Sequence, residues 1–164
     1  MDLIKSLSDN DLIKAYGEVI NELKKRGIIR SKNLLGDLGE YVAINHYCST
    51  TGLPKLQPAP IGTQNIDAIS VKGDRYSIKS TTGKVTGVFY GLNEPNSIEP
   101  ESQKFEYIIV VKFNEDYILE KIIELNWENF LENKKWHSRM RAWNLTITQK
   151  LINDSKVIYS KDLK

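Results

Sequence analysis

The chain is poor in the residues that tie a fold together covalently or through a metal. Among its 164 residues are one cysteine, Cys48, and two histidines, His46 and His137. These exclude an internal disulfide framework and a structural zinc site. No apolar run approaches the roughly 18 residues that cross a bilayer, so no membrane partner is expected. The opening Met1-Asp2-Leu3-Ile4-Lys5 lacks the basic and apolar regions of a secretory signal. A cytoplasmic location is therefore expected, and the sequon Asn144-Leu145-Thr146 has no bearing there. Repeats, low-complexity tracts and Gly/Ser linkers are also missing, which points to a single domain spanning residues 1–164.

Charge of one sign is in short supply overall, with 23 basic against 21 acidic residues and a net charge of +2. Its distribution is uneven. Residues 94–132 carry ten acidic and three basic side chains, and residues 133–164 carry eight basic and two acidic ones. A basic C-terminal segment suits phosphate contacts; a solvated face beside an ordinary acidic surface is the alternative.

Two helices open the chain. Ser8-Asp9-Asn10-Asp11 has the form of a helix start, and Leu12, Ile13, Tyr16, Val19, Ile20 and Leu23 recur with helical period. Lys24, Lys25 and Arg26 suit the C-terminal dipole and Gly27 the cap. A second helix is expected from Leu34 to Tyr47, burying Leu34, Leu35, Leu38, Tyr41, Val42 and Ala43. Residues 52–60 contain three prolines, which remove ladder donors, and read as a loop.

Strands follow. Ile66–Val71 and Arg75–Ser80 read as a hairpin turning at Lys72-Gly73-Asp74. Phe105–Phe113 reads as a strand buried on both faces, with Tyr117–Leu125 as its antiparallel partner across Asn114-Glu115-Asp116. Trp127–Leu131 reads as a short helix capped by Asn126. Helices and strands do not alternate regularly, so the expected class is α+β.

Three features carry chemistry. Gly39-Glu40 offers a carboxylate on the second helix, Asp67 opens the first hairpin strand, and Lys79 lies near the end of the second. Phosphodiester hydrolysis calls for a divalent cation, carboxylates to anchor it and a positive group near the attacking water. A hard cation such as Mg²⁺ keeps several waters and takes only one or two protein carboxylates.

The string Gly39-Glu40, Ile66-Asp67 and Tyr76-Ser77-Ile78-Lys79-Ser80 resembles the PD-(D/E)XK nuclease superfamily, in which a helical Glu precedes a strand Asp and an (E/Q)-x-K triplet follows on the next strand. The resemblance runs over about residues 34–125. It implies a restriction-endonuclease-like α/β/α core, a mixed central sheet of about four to five strands flanked by helices, and Mg²⁺-dependent cleavage of double-stranded DNA, with Mn²⁺ as a substitute. It further implies Asp67, Glu40, the Ile78 carbonyl and position 77 as metal ligands, with Lys79 orienting the water. Position 77 departs from the pattern: Ser77, a neutral and poorer ligand, stands where Glu or Gln is usual. Glu106 is a substitute carboxylate if its strand adjoins the hairpin.

The hairpin register decides whether these groups meet. Pairing centred on Gly73 sets Asp67 opposite Lys79, about 5 Å apart at Cβ. A two-residue loop would put them on opposite faces. The nuclease reading therefore requires an odd-numbered loop or a bulge, with Gly73 at positive φ.

Other signals are weaker. Thr82-Gly83-Lys84-Val85-Thr86 lacks the leading glycine of a phosphate loop and the Ser/Thr directly after its lysine. As part of Ser80–Gly87 it still offers Ser80, Lys84 and backbone amides to DNA, with a plain surface loop as the alternative. Lys134, Lys135, His137, Arg139 and Arg141, interleaved with Trp136 and Trp143, form the densest basic cluster. They suit a nucleic-acid surface or a solvated helix face.

The expected function is thus a restriction-type endodeoxyribonuclease, acting as a homodimer or as a small catalytic subunit of a heterodimer with a sequence-recognising partner. Alternatives are a non-catalytic DNA-binding module of the same fold and a protein-interaction domain using the acidic 94–132 face.

Overall fold

A computed structural model describes residues 2–162. Among the described residues five helices, α1 (Asp2–Lys5), α2 (Asp9–Lys25), α3 (Leu34–Ser49), α4 (Trp127–Asn133) and α5 (Gln149–Asn153), accompany eight strands. These are β1 (Leu56–Pro58), β2 (Ala68–Ser70), β3 (Arg75–Thr81), β4 (Tyr107–Phe113), β5 (Leu119–Asn126), β6 (Lys135–His137), β7 (Ala142–Asn144) and β8 (Lys156–Ser160). Six strands form one sheet in the order β1-β2-β3-β4-β5-β8, while β6 and β7 form a separate hairpin. β3 and β4 are parallel and the other pairs of the large sheet are antiparallel. The class is α+β, as expected, but the sheet has six strands rather than four to five. No helix among the described residues is long and apolar enough to cross a membrane.

The centre of the sheet explains its own burial. In β4, Ile109 and Val111 join one apolar cluster with Ala43 and Tyr47 of α3, and Ile108 and Val110 join a second with Phe130 of α4 and Leu151 of α5. The strand is thus packed on both faces, which its unbroken Ile-Ile-Val-Val run allows. β5 pairs with it antiparallel, and the Asn126 side chain caps α4 by accepting from the Asn129 amide at 2.9 Å.

The two outer strands were not expected. Residues 56–58 pair with β2 at the sheet edge, where a proline is tolerated. β8 emerges from the basic C-terminal segment to pair with β5. Two burial expectations also change. Tyr41 is exposed, and α3 instead buries Asp37, Gly39, Ala43 and Tyr47. α2 forms as the sequence implies, with the Ser8 side chain accepting from the Asp11 amide at 3.2 Å and Gly27 at φ 68°, but it buries no side chain.

Candidate active site

The β2–β3 hairpin sets the geometry. Its register pairs Ala68 with Tyr76 and Ile69 with Arg75, which leaves Val71-Lys72-Gly73 as a three-residue loop closed by the Ser70 amide on the Asp74 carbonyl at 2.9 Å. Gly73 has φ 91°, a conformation that only glycine adopts without cost. The odd-numbered loop and the glycine conformation are those the nuclease reading requires. The register itself differs: pairing centres on Lys72 and is regular only from Ala68, and the Asp67 amide donates to the Tyr76 carbonyl at 2.8 Å, so Asp67 lies beside Tyr76 and Ser77, with Lys79 two residues beyond Ser77 on β3. The turn closes one position earlier than a loop centred on Gly73, because Ser70 Oγ accepts from the Asp74 amide and donates to its carboxylate.

β2 ends at Ala68, so no strand lies beside Ile78 on that side. Asp67 takes over the missing partner: its Oδ2 accepts from the Ile78 amide at 2.6 Å and from Ser77 Oγ at 3.4 Å. The N–H and C=O of one strand residue point to the same side, so the Ile78 carbonyl also faces this gap. Asp67 Oδ1 carries no hydrogen bond among the described residues.

Glu40 reaches the same gap from α3. The helix approaches β3 closely because residue 39 is glycine: a Cβ there would lie 2.5 Å from both Cβ and Oγ of Ser80. Ser80 Oγ donates to the Leu35 carbonyl at 2.7 Å, so its hydroxyl fixes α3 against β3 and is not a free donor for DNA. Glu40 Oε2 accepts from the Arg30 guanidinium at 2.6 Å, while Oε1 has no hydrogen-bond partner among the described residues. Burial and the nearby Asp67 carboxylate together hold the Glu40 pKa above its ordinary value of 4.5, against the lowering effect of Arg30.

Glu40, Asp67, Ile78, Lys79, Thr86 and Gly87 line one open pocket of about 440 Å³. Lys79 places its ammonium 5.0 Å from the centre of the Phe89 ring, and it makes no ion pair among the described residues.

Arg30 and Asp37 were not read as site residues. Asp37 is buried and accepts from the Arg30 and Ser31 amides at 2.7 and 2.5 Å and from Ser31 Oγ at 3.1 Å. It thereby fixes the loop that carries Arg30 to Glu40. The one sequence signal was its position three residues before Glu40, on the same helix face.

The residues fit a hard cation that keeps most of its waters. Each of two neighbouring carboxylates has an oxygen without a hydrogen bond, and burial together with the charge of Asp67 raises the pKa of Glu40; an added cation would relieve the repulsion between the two. Glu40, Asp67 and the Ile78 carbonyl would hold it. The described residues offer no group of three or more His, Cys, Asp or Glu side chains placed for a metal. Ser77 is fully buried and donates to Asp67, so it acts as a partner of that carboxylate rather than as a ligand. Glu106 does not substitute for it: it grips Arg75 through Nε and Nη2 at the opposite end of β3, and that hydrogen bonding lowers its pKa.

The basic cluster forms the β6–β7 hairpin, not a helix. Lys134 pairs with Glu101 at 3.1 Å, both side chains only 13% exposed, and stands over the Trp143 ring at 4.1 Å. Arg141 pairs with Glu94. Two of the cluster's cations are therefore neutralised by the acidic segment, and Lys135 and Arg139 remain exposed. The hairpin borders the pocket through residues 85–89, since Val85 bridges Thr146 and Phe89 bridges Trp143. Lys84 is exposed in the loop after β3.

In comparison with known proteins, no protein-family model matches the chain and no curated protein is significantly similar to it.

Proposed function

We propose that the chain is a Mg²⁺-dependent endodeoxyribonuclease of the PD-(D/E)XK type, with a restriction-endonuclease-like core. The observation that carries this reading is the meeting of Glu40, Asp67, the Ile78 backbone and Lys79 at one open pocket, from a helix, a strand and the residue that leads into the neighbouring strand. A bound cation would supply charge neutralisation at the phosphate and a more acidic water. The chain's own residues do the rest. The Ile78 amide fixes the Asp67 carboxylate, Arg30 fixes Glu40, and the Lys79 ammonium donates to a non-bridging phosphate oxygen or to the attacking water. Lys84, Lys135 and Arg139 hold the DNA backbone. The enzyme acts as a homodimer or beside a larger subunit that reads the sequence.

Plasmid cleavage in Mg²⁺ and in Mn²⁺ tests the proposal. Wild type should nick or linearise DNA, and Lys79→Ala and Asp67→Asn should each lower the rate by about 10²–10⁴-fold. Cleavage that survives both substitutions would remove the pocket from the mechanism.

Ser77 favours a second reading, a non-catalytic DNA-binding module of the same fold. Its hydroxyl stands beside Asp67 where the family pattern has a carboxylate or amide. Salt-sensitive DNA binding with no cleavage in either metal, with or without a partner subunit, would select that reading.

A further inference from the structure

α2 is amphipathic, yet among the described residues it buries no side chain: Ile20 and Leu23 are half-buried, with Ile20 bordering residues 29–34, and the rest of its apolar face is exposed. Leu12, Ile13, Tyr16 and Val19 are 45%, 69%, 65% and 55% exposed, although together they make one helix face. Leu12, Tyr16, Val19 and Leu23 fall at intervals of four, three and four residues, the spacing of a helix–helix seam. A lone helix of 17 residues is marginal in water, so its apolar face needs a partner surface.

The charges along the helix say which surface fits. Asp9 and Asp11 lie in the first turn, and Lys24 and Lys25 lie in the last, followed by Arg26. Lys24 and Lys25 make no ion pair among the described residues, and the pairs of Asp11 with Lys14 (3.7 Å) and of Arg26 with Glu22 (2.7 Å) are exposed. A parallel copy of this helix would bring like charges together. An antiparallel copy sets each acidic first turn against a basic last turn and opposes the two macrodipoles. The seam is self-complementary in that arrangement: about a two-fold axis between residues 17 and 18, position 12 meets 23, 16 meets 19, and 9 and 11 meet 26 and 24.

We propose that α2 pairs antiparallel with α2 of a second copy of this chain. The inference does not depend on the pocket being a nuclease site, because no seam residue lines that pocket.

Sedimentation equilibrium of the full chain, at concentrations up to about 0.1 mM where a small two-fold interface associates, tests the pairing. Wild type should sediment at twice the chain mass and Ile13→Asp/Tyr16→Asp at the chain mass. Both positions are exposed and lie outside the two apolar clusters, so the variant should still unfold cooperatively by near-UV circular dichroism, which shows that the core is retained. Asp9→Lys/Asp11→Lys and Lys24→Glu/Lys25→Glu should each weaken the dimer about tenfold, and an equimolar mixture of the two should restore it. In a Cys48→Ser background, Asp9→Cys should form a disulfide with Arg26→Cys and not with itself. A monomeric wild type, a dimer that survives Ile13→Asp/Tyr16→Asp, or self-cross-linking of Asp9→Cys would each overturn the proposal.

Discussion

Glu40 sits under opposing influences: burial and Asp67 favour its proton, and Arg30 favours its charge. The balance lies with the proton, and two predictions follow from the sign. Binding of Mg²⁺ or Mn²⁺, followed by calorimetry, should weaken as the pH falls through a value above the ordinary 4.5 of a glutamate. A carboxyl whose pKa is raised by folding stabilises the native state below its unfolded pKa. That contribution is lost as the pH rises through the folded value. Glu40→Gln should therefore melt with wild type at acid pH and above it at neutral pH without metal; a lower melting temperature throughout would mean that the Arg30 pair outweighs the repulsion. Ser77 is the complementary case. Ser77→Glu would place a third carboxylate next to Asp67, tightening Mg²⁺ binding by about tenfold while lowering stability without metal, because a buried charge beside another is costly. Unchanged metal affinity would show that position 77 does not face the cation.

At the scale of elements, the approach of α3 to β3 brings Glu40 to Asp67, and Gly39 permits that approach. Gly39→Ala would drive a methyl group into Ser80, costing about 1–3 kcal/mol as overpacking, a fall of roughly 3–10 °C in melting temperature. Ser80→Gly in the same chain should recover part of that loss; no recovery would mean that helix propensity or another contact sets the cost. The elements legible in the sequence are those written in local chemistry. The Ser8 and Asn126 caps, the period of α2 and α3 and the unbroken Ile108–Val111 run each specify an element without help from elsewhere. β1 and β8 were not legible, because they are short edge strands whose pairing depends on β2 and β5 rather than on their own pattern. The hairpin was legible as a hairpin with an odd loop, but its register depends on the Ser70–Asp74 hydrogen bonds, which no spacing rule reports. Periodicity likewise identified α2 as a helix and was silent on whether any surface covered it. In the candidate site, Glu40, Asp67 and Lys79 stood out by residue type and order. Arg30 did not, since its placement depends on the buried Asp37 in the next helix.

Across the whole molecule, the acidic and basic stretches that look like separate faces in the sequence partly neutralise each other. Glu94 takes Arg141 and Glu101 takes Lys134, while Lys84, Lys135 and Arg139 make no ion pair among the described residues. This bears directly on the proposed binding of DNA. Each phosphate contact releases counterions and contributes about −0.9 to the slope of log K against log salt. If the hairpin and the loop after β3 hold the backbone, three free cations should give a slope of roughly −3, in place of the −5 that the five residues Lys84, Lys134, Lys135, Arg139 and Arg141 would give. Fluorescence anisotropy over a salt series, in Ca²⁺ to prevent cleavage, measures it. Lys84→Ala, Lys135→Ala and Arg139→Ala should each flatten the slope by about one. Arg141→Ala should leave it nearly unchanged, since Glu94 already holds that guanidinium. Glu94→Gln should then steepen the slope by about one, because it frees Arg141 without adding a positive charge. A slope insensitive to all of these would place the DNA on another face of the protein.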